Sequence, residues 1–257
     1  TDLAFSSQFT NPLQPINVSK GIPFDIAIVQ GFHNVHGDAY YLSAYLEQAN
    51  IPYLDTSLYT NPLIKNKFYQ SYILTKNNIP HPATTRTRSY ASWVKIASSL
   101  TFPVIVKSLD PHLSDQGKGV YKIDSYENFC TFFQSRKNQN NTLIQEYIPI
   151  SSDYRLLVLD GAVIGCIKRT VSPGEFRTNV SQGGSVEKHK STPSMESLAI
   201  RSARAFGSTF CGVDIIEYNG SAWVVSFDHN NETKQFVTNN PGADVVVKVM
   251  PDHLDYP

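Results

Sequence analysis

The 257-residue sequence has no charge surplus of either sign: 22 Lys and Arg stand against 22 Asp and Glu. Proteins that track nucleic-acid phosphates carry a basic excess, so no nucleic-acid partner is expected, and Arg86-Thr-Arg88 reads as a solvated loop. Cysteine is scarce. Cys130, Cys166 and Cys211 are an odd count without CxxC spacing, which excludes a disulfide framework and a zinc knuckle; each is expected to fill apolar space in a reducing compartment. No apolar run approaches the ~18 residues of a membrane helix, and no basic-then-apolar leader opens the chain. The expectation is a soluble, cytoplasmic protein without a membrane partner, in which triplets such as Asn179-Val-Ser181 carry no glycan. There is no internal repeat.

What is present suits a folded protein of one large or two small domains: 41% hydrophobic and 12% aromatic residues. Residues 1–24 are polar and Pro-punctuated. From Asp25-Ile-Ala-Ile-Val-Gln30 onward the chain alternates a short apolar strand with an amphipathic helix over 38–48, a second strand at Ile51–Leu54, and a second helix over Pro62–Lys76 with Pro62 in its first turn. That alternation predicts a parallel sheet. After the proline-broken connector 77–82, the spacing predicts a helix over 90–99 and strands at 102–107, 120–123, 142–147, 154–159 and 162–169. A helix over 193–206 then buries Met195, Leu198, Ala199, Ala203 and Phe206, before a final hairpin, 211–218 and 221–228. Asp160-Gly161 and Asn219-Gly220 are two-residue hairpin signals. The fold class is α+β (α/β), with a small front domain over 1–80 and a larger domain over 81–257, itself split at about 81–147 and 148–257.

Polar chemistry gathers at strand ends. Lys107 closes the run Val104-Ile-Val106, and a lysine there must reach a polar site or snorkel to water. Gly117-Lys118-Gly119 lets backbone N–H groups approach phosphate oxygens, although a plain hairpin turn uses the same residues. Arg155, Arg169, Arg177 and Asn179 fall at strand ends and loops, an arrangement suited to holding several anionic oxygens, where the guanidinium fork is favoured. Taken singly, each is equally a surface ion pair.

In order, the segments Phe102-Pro-Val-Ile-Val-Lys107, Gly117-Lys-Gly-Val120, Gln145-Glu-Tyr-Ile148, Asp153-Tyr-Arg155, Glu175-Phe-Arg-Thr-Asn179 with Gly183-Gly184, and Gly212-Val-Asp-Ile-Ile216 resemble an ATP-grasp ligase of the RimK type, from about Asp25 to Val249. The resemblance implies an ATP-grasp fold with a shortened front domain and ATP and Mg²⁺ as cofactors. It further implies small-molecule or peptide carboxylate and amine substrates joined through an acyl-phosphate, and a homo-oligomer as a possible assembly. It assigns Lys107 and Lys67 to the ATP phosphates, Gly117, Lys118 and Gly119 to a lid, and Glu146, Tyr147 and Ile148 to the adenine edge. Asp153 falls on the ribose side, and Arg177, Thr178 and Asn179 on the phosphates and acyl-phosphate. Arg155 and Arg169 attend the transferred phosphoryl group or the carboxylate.

The metal hairpin departs from that pattern. Asp214 matches the family's first Mg²⁺ ligand, but Ser226 stands where a Glu belongs and Asp228 where an Asn belongs; alternatively Asp228 and Asn230 supply an acid and an amide two places late. A two-residue turn at Asn219-Gly220 sets Asp214 opposite Val225 with Asp228 on the other face, whereas a three-residue loop puts Asp214, Ser226 and Asp228 on one face. The second register is expected. His33, His36 and His229 are weak metal signals. Rival readings are a nucleotide-binding pseudo-enzyme or regulatory subunit, favoured by Ser226, and an ATP-grasp kinase.

Overall fold

A computed structural model describes residues 27–28, 36–86, 90–109, 119–135, 141–172, 174–176 and 185–228. The chain runs β1 (Ala27–Ile28), α1 (His36–Gln48), β2 (Tyr53–Leu54), α2 (Ser57–Thr60), α3 (Lys67–Lys76), β3 (Thr84–Thr85), α4 (Tyr90–Ala97), β4 (Val104–Ser108) and β5 (Val120–Ile123). It continues through α5 (Tyr126–Gln134), β6 (Thr142–Glu146), β7 (Ser152–Leu159), β8 (Ala162–Thr170), β9 (Ser185–Lys188), α6 (Pro193–Phe206), β10 (Phe210–Tyr218) and β11 (Ser221–Asp228). β1 and β2 pair in parallel, as the strand–helix alternation predicts. The other strands form an antiparallel four-stranded sheet, β3-β6-β4-β5, and an antiparallel five-stranded sheet, β11-β10-β7-β8-β9.

Two differences from the sequence expectation have local causes. The second helix begins at Lys67 rather than Pro62, because the Asn66 side chain accepts from Phe68 N and Tyr69 N at 3.0 and 3.1 Å and caps the helix there. The unassigned stretch after β5 is a helix, α5, capped by Ser125 on Asn128 N and burying Phe129 and Phe133.

Period decides which faces meet. In α6, Met195, Leu198, Ala199, Ala203 and Phe206 are buried, as expected, and pack with Leu156, Val158, Val213, Ile215, Val224 and Phe227 of the five-stranded sheet. Leu46, Tyr53, Ile64, Ile73, Leu74 and Ile79 join the same core from the front of the chain. A second cluster sets Trp93, Phe129 and Phe133 against Val104 and Val106 of β4; alternation along that strand turns Ile105 and Lys107 to the opposite face. The connector after α3 is pinned by Val224 N donating to Pro80 O at 2.8 Å and by Arg201 donating to Asn78 O at 2.9 Å.

One buried carboxylate ties the front segment to the α6–β10 junction. Asp55 is 3% exposed. Its Oδ1 accepts from Ser57 N and Thr209 N, both at 3.1 Å, and its Oδ2 from the hydroxyls of Ser57 and Ser208. Replacing it by alanine strands these buried donors, each expensive to leave unpaired. Asp55→Ala is expected to lower stability by roughly 2–4 kcal/mol, read as an earlier midpoint in urea unfolding, whereas an unchanged midpoint shows that the junction is held by apolar packing alone.

Candidate active site

The final hairpin decides which polar groups meet. Asn219 and Gly220 both adopt left-handed backbone, φ 50° and 72°, so the turn has two residues and Tyr218 faces Ser221. The expected three-residue loop is absent. Its consequence arises in another way: a bulge opens between Asp214 and Ile215 in the register, so that Ile215 pairs with Val224 but Asp214 with Ser226 and Gly212 with Asp228. Asp214, Ser226 and Asp228 therefore share one face. On neighbouring β7, Arg155 lies opposite Asp214, and Arg169 of β8 lies opposite Asp153.

These groups form a ladder of alternating charge across the sheet. Arg155 donates through Nε to Asp214 Oδ1 at 2.7 Å and through a terminal nitrogen to Oδ2 at 3.1 Å; the same nitrogen is 3.5 Å from Asp228 Oδ2. Arg169 grips Asp153 in a fork at 2.7 and 2.6 Å and reaches Asp214 Oδ1 at 3.1 Å. Asp214 is 6% exposed. Burial alone would raise its carboxyl, but the two guanidinium groups outweigh it and hold the group well below the usual carboxylate range. For Arg169, burial opposes the charge, and Asp214 and Asp153 more than compensate, raising its pKa.

Two lysines converge on the same face. Lys67, the first residue of α3, donates to Ser226 Oγ at 2.8 Å and to Phe227 O at 3.3 Å, and Gln70, one turn on, fixes the helix by donating to Phe227 O and Ile64 O, both at 2.8 Å. Lys107 stands near enough for its ammonium to feel Lys67 and Asp214. Burial first, then Lys67, push its pKa down to about 8 against the pull of Asp214.

The remaining expected residues separate into four groups. Asp153, expected at the ribose side, is buried with both carboxylate oxygens on Arg169, so its observed work is to orient that arginine. Glu146, Tyr147 and Ile148 join the two sheets. The Glu146 carboxylate accepts from Ala83 N at 3.2 Å, Tyr147 lies under Lys122 at 4.8 Å, and Ile148 is buried. Gly119 accepts from Ser108 N at 2.8 Å. Gly117, Lys118, Arg177, Thr178, Asn179 and Asn230, with His33, His229 and Gly183-Gly184, lie outside the described residues. Sequence reading missed the Ser226–Lys67 contact and Gln70; the Asn-Lys pair opening an amphipathic helix was the available signal.

The expected metal set is described only in part, since Asn230 lies outside the described residues. Asp214, Asp228 and Asn230 were to hold Mg²⁺, but among the described residues no group of three His, Cys, Asp or Glu stands together as a cation cage. A hard dication needs several free oxygens. Both oxygens of Asp214 are taken by guanidinium groups, and the hydroxyl opposite it already receives an ammonium. The described donor set does not fit magnesium.

Because the depressed Asp214 carboxyl favours the folded state above its unfolded pKa and loses that advantage as pH falls toward its folded value, Asp214→Asn has a pH signature. The variant is expected to be less stable by roughly 2–4 kcal/mol at pH 7, with the gap narrowing below about pH 4; urea titrations at both pH values check this, and a pH-independent gap contradicts it. Lys107 is charged below about pH 8. Relative to a Lys107→Arg variant, whose cation does not titrate in this range, affinity for a polyphosphate should fall above about that pH, as calorimetry at a series of pH values would read.

This geometry accompanies clear kinship. The model of the RimK-like ATP-grasp domain matches residues 64–251. A probable alpha-L-glutamate ligase of Legionella pneumophila (strain Corby) is 31% identical over 168 residues, 64% of this chain and 55% of that protein; the chain thus spans about half the length of that curated relative. Among solved structures, a RimK domain ATP-grasp protein from Sphaerobacter thermophilus DSM 20745 superposes with a TM-score of 0.63 at 20% identity, over 92% of this chain and 81% of that one. The ATP-grasp ligase PsnB, complexed with a phosphomimetic precursor variant, Mg and ADP, superposes with a TM-score of 0.60 at 15% identity, over 79% and 62%. Both support the α+β ATP-grasp fold that the sequence predicts, and with the family match covering most of its length, the chain belongs to the RimK-like ATP-grasp domain family.

Proposed function

We propose that the chain acts as an ATP-dependent carboxylate–amine ligase. The observation that carries this reading is the meeting of Lys67, Arg155 and Arg169 on one face of the five-stranded sheet, the arginines oriented by buried carboxylates, with Lys107 of β4 close enough to interact electrostatically with Lys67 and Asp214. Phosphoryl transfer asks chiefly for such preorganised positive charge. A carboxylate oxygen of the substrate attacks the γ-phosphorus and ADP departs, leaving an acyl-phosphate. The nitrogen of a neutral amine then attacks the acyl carbon, inorganic phosphate leaves, and the amine proton passes to solvent.

In this reading Lys67 and Lys107 hold the phosphate chain, Arg155 and Arg169 face the transferred group or the carboxylate, and Glu146, Tyr147 and Ile148 edge the adenine. Gly117, Lys118 and Gly119 cover the phosphates, while Arg177, Thr178 and Asn179 attend the acyl-phosphate. Magnesium is implied by the resemblance and accompanies ADP in the PsnB complex. The relatives' name points to glutamate as the amine donor, with a peptide or small molecule as the carboxylate. Three free cysteines suit the cytoplasm, where ATP is available and thiols stay reduced. The Lys67–Ser226 contact favours a second reading, a nucleotide-binding pseudo-enzyme or regulatory subunit.

Incubation with ATP and pooled amino acids or peptides, with Mg²⁺ and separately with chelator, separates the two. A ligase releases phosphate only when an acceptor is present and yields an amide product by mass spectrometry; ATP binding without turnover for any acceptor favours the second reading.

A further inference from the structure

The strand β3 runs into an arginine that no acceptor of the folded chain answers. Arg86 directly follows Thr85 and is half-buried, and its Nε is buried without a hydrogen-bond partner. Among the described residues it is the one charged group left in that state, whereas Arg155 and Arg169 each grip a carboxylate. The sequence suggests a solvated Arg86; the structure instead takes its Nε out of water. A buried N–H without a partner is costly, and in a folded protein it calls for a reason.

Register places this arginine. β3 pairs with β6 so that Thr84 faces Gln145 and Thr85 faces Ile144. Carried one residue further, the register sets Arg86 opposite Leu143, which on its other side faces Lys107 of β4. Ile144, Val104 and Val106 pack into the Trp93 core, so alternation puts Thr84 and Arg86 on the other face, with Gln145, Leu143, Ile105 and Lys107. On that face Gln145 donates to Thr84 Oγ1 at 3.1 Å, and from it the Lys107 ammonium senses Lys67 and Asp214. Arg86 and Lys107 thus lie in one row across the sheet, two strand spacings or about 10 Å apart at the backbone. Glu146, at the adenine edge in the reading above, faces Val104, three residues and about 10 Å further along the strands. Arg86 is therefore level with the phosphate lysine and not with the base.

We propose that Arg86 is a further phosphate-binding residue of this cleft, its guanidinium taking oxygens of the nucleotide's polyphosphate and its Nε–H finding there the acceptor that the protein does not provide. This rests on the ATP-binding part of the reading above, not on the ligase chemistry. Arg86 lies in none of the segments that carry the family resemblance. A planar fork offers two parallel N–H bonds to a phosphate, where a lysine offers a point charge, so Arg86 adds orientation to the charge that Lys107 supplies from the same row.

The test is calorimetric titration of ATP, with Mg²⁺ present, into the full chain and its variants. Arg86→Met removes every donor and keeps an apolar stem; it is expected to weaken ATP binding by about tenfold or more and to leave the affinity for adenosine, which brings no phosphate, unchanged. Arg86→Lys keeps the charge without the fork and is expected to fall between wild type and Arg86→Met. Arg204→Met, at an exposed position of α6, removes the same net charge and is expected to bind ATP within about twofold of the wild type. Urea unfolding without nucleotide is the readout that a structural role would move. Because Nε has no acceptor in the folded chain, Arg86→Met is expected to unfold at the wild-type midpoint or later. An Arg86→Met variant that binds ATP like the wild type overturns the proposal while leaving the ATP reading intact. So do an equal loss for adenosine, an equal loss in Arg204→Met, and an earlier midpoint in urea. Absence of ATP binding by the wild type overturns the ATP reading itself and the proposal with it.

Discussion

One buried carboxylate gripped by two guanidinium groups organises this site. Asp214 lies on β10, between Val213 and Ile215, which are wholly buried on the other face of the sheet. A carboxylate so placed cannot stay ionised without partners, because removing it from water costs several kcal/mol. The partners come from the adjacent strands: Arg155 directly across on β7 and Arg169 one strand further. Arg169 would in turn be an unbalanced buried cation were Asp153 not opposite it. The sheet thus fixes acids and bases in alternation, and their mutual need holds the two forks in set orientations. Cations prepared this way lose little freedom when an anion arrives, which is the property that electrostatic catalysis requires.

The lysines reach the same face by a different route, through the placing of one helix. Asn66 caps α3 at its first turn, and Gln70 fastens that turn to Phe227 O on β11. A start one residue earlier or later would turn Lys67 by about 100° around the helix axis and carry it away from Ser226. The distance between front segment and sheet is set independently by Asp55, whose four donors come from both sides of the junction. Position and rotation of the lysine therefore follow from two neutral-donor networks away from the charge ladder, so the long, flexible side chain needs only its last few atoms placed.

Much of this was legible in the sequence, and the reasons differ by element. α6 was readable to its ends because its apolar spacing, its Thr192 cap, Pro193 and the left-handed Gly207 all agree. The turn at Asp160-Gly161 was readable because it requires left-handed backbone at two successive residues; Asn219-Gly220 has the same backbone, but a three-residue loop was expected there in order to bring Asp214, Ser226 and Asp228 to one face. α5 was overlooked although Ser125 and the Phe129 and Phe133 pair carry the same signals in weaker form. The start of α3 was misplaced because Pro62 looks like a first-turn residue, while the Asn66 side chain decides the outcome. Arg155, Arg169, Lys107 and Asp214 could be singled out as chemically costly residues in apolar strands. Their pairing could not, because it depends on strand neighbours far apart in sequence and on a register that a bulge changes midway.

That bulge links the core to the site. β11 buries Val224 and Phe227, three residues apart, although a regular strand returns to a given face every second residue. A strand without an extra residue would bury Val224 and send Ser226 and Asp228 inward after it, placing a carboxylate against α6 where Phe227 now packs on Phe206 at 4.1 Å between ring centres. The alternative register would bury Phe227 and expose Val224. Only an irregularity between them satisfies both apolar residues, and the same irregularity turns Ser226 and Asp228 toward Asp214. The hydrophobic demand of two core residues thus dictates which polar groups meet on the opposite face. The odd spacing of Val224 and Phe227 is the mark of it in the sequence, and the Asp228 approach to Arg155 and the Lys67–Ser226 contact both follow from that one inserted residue.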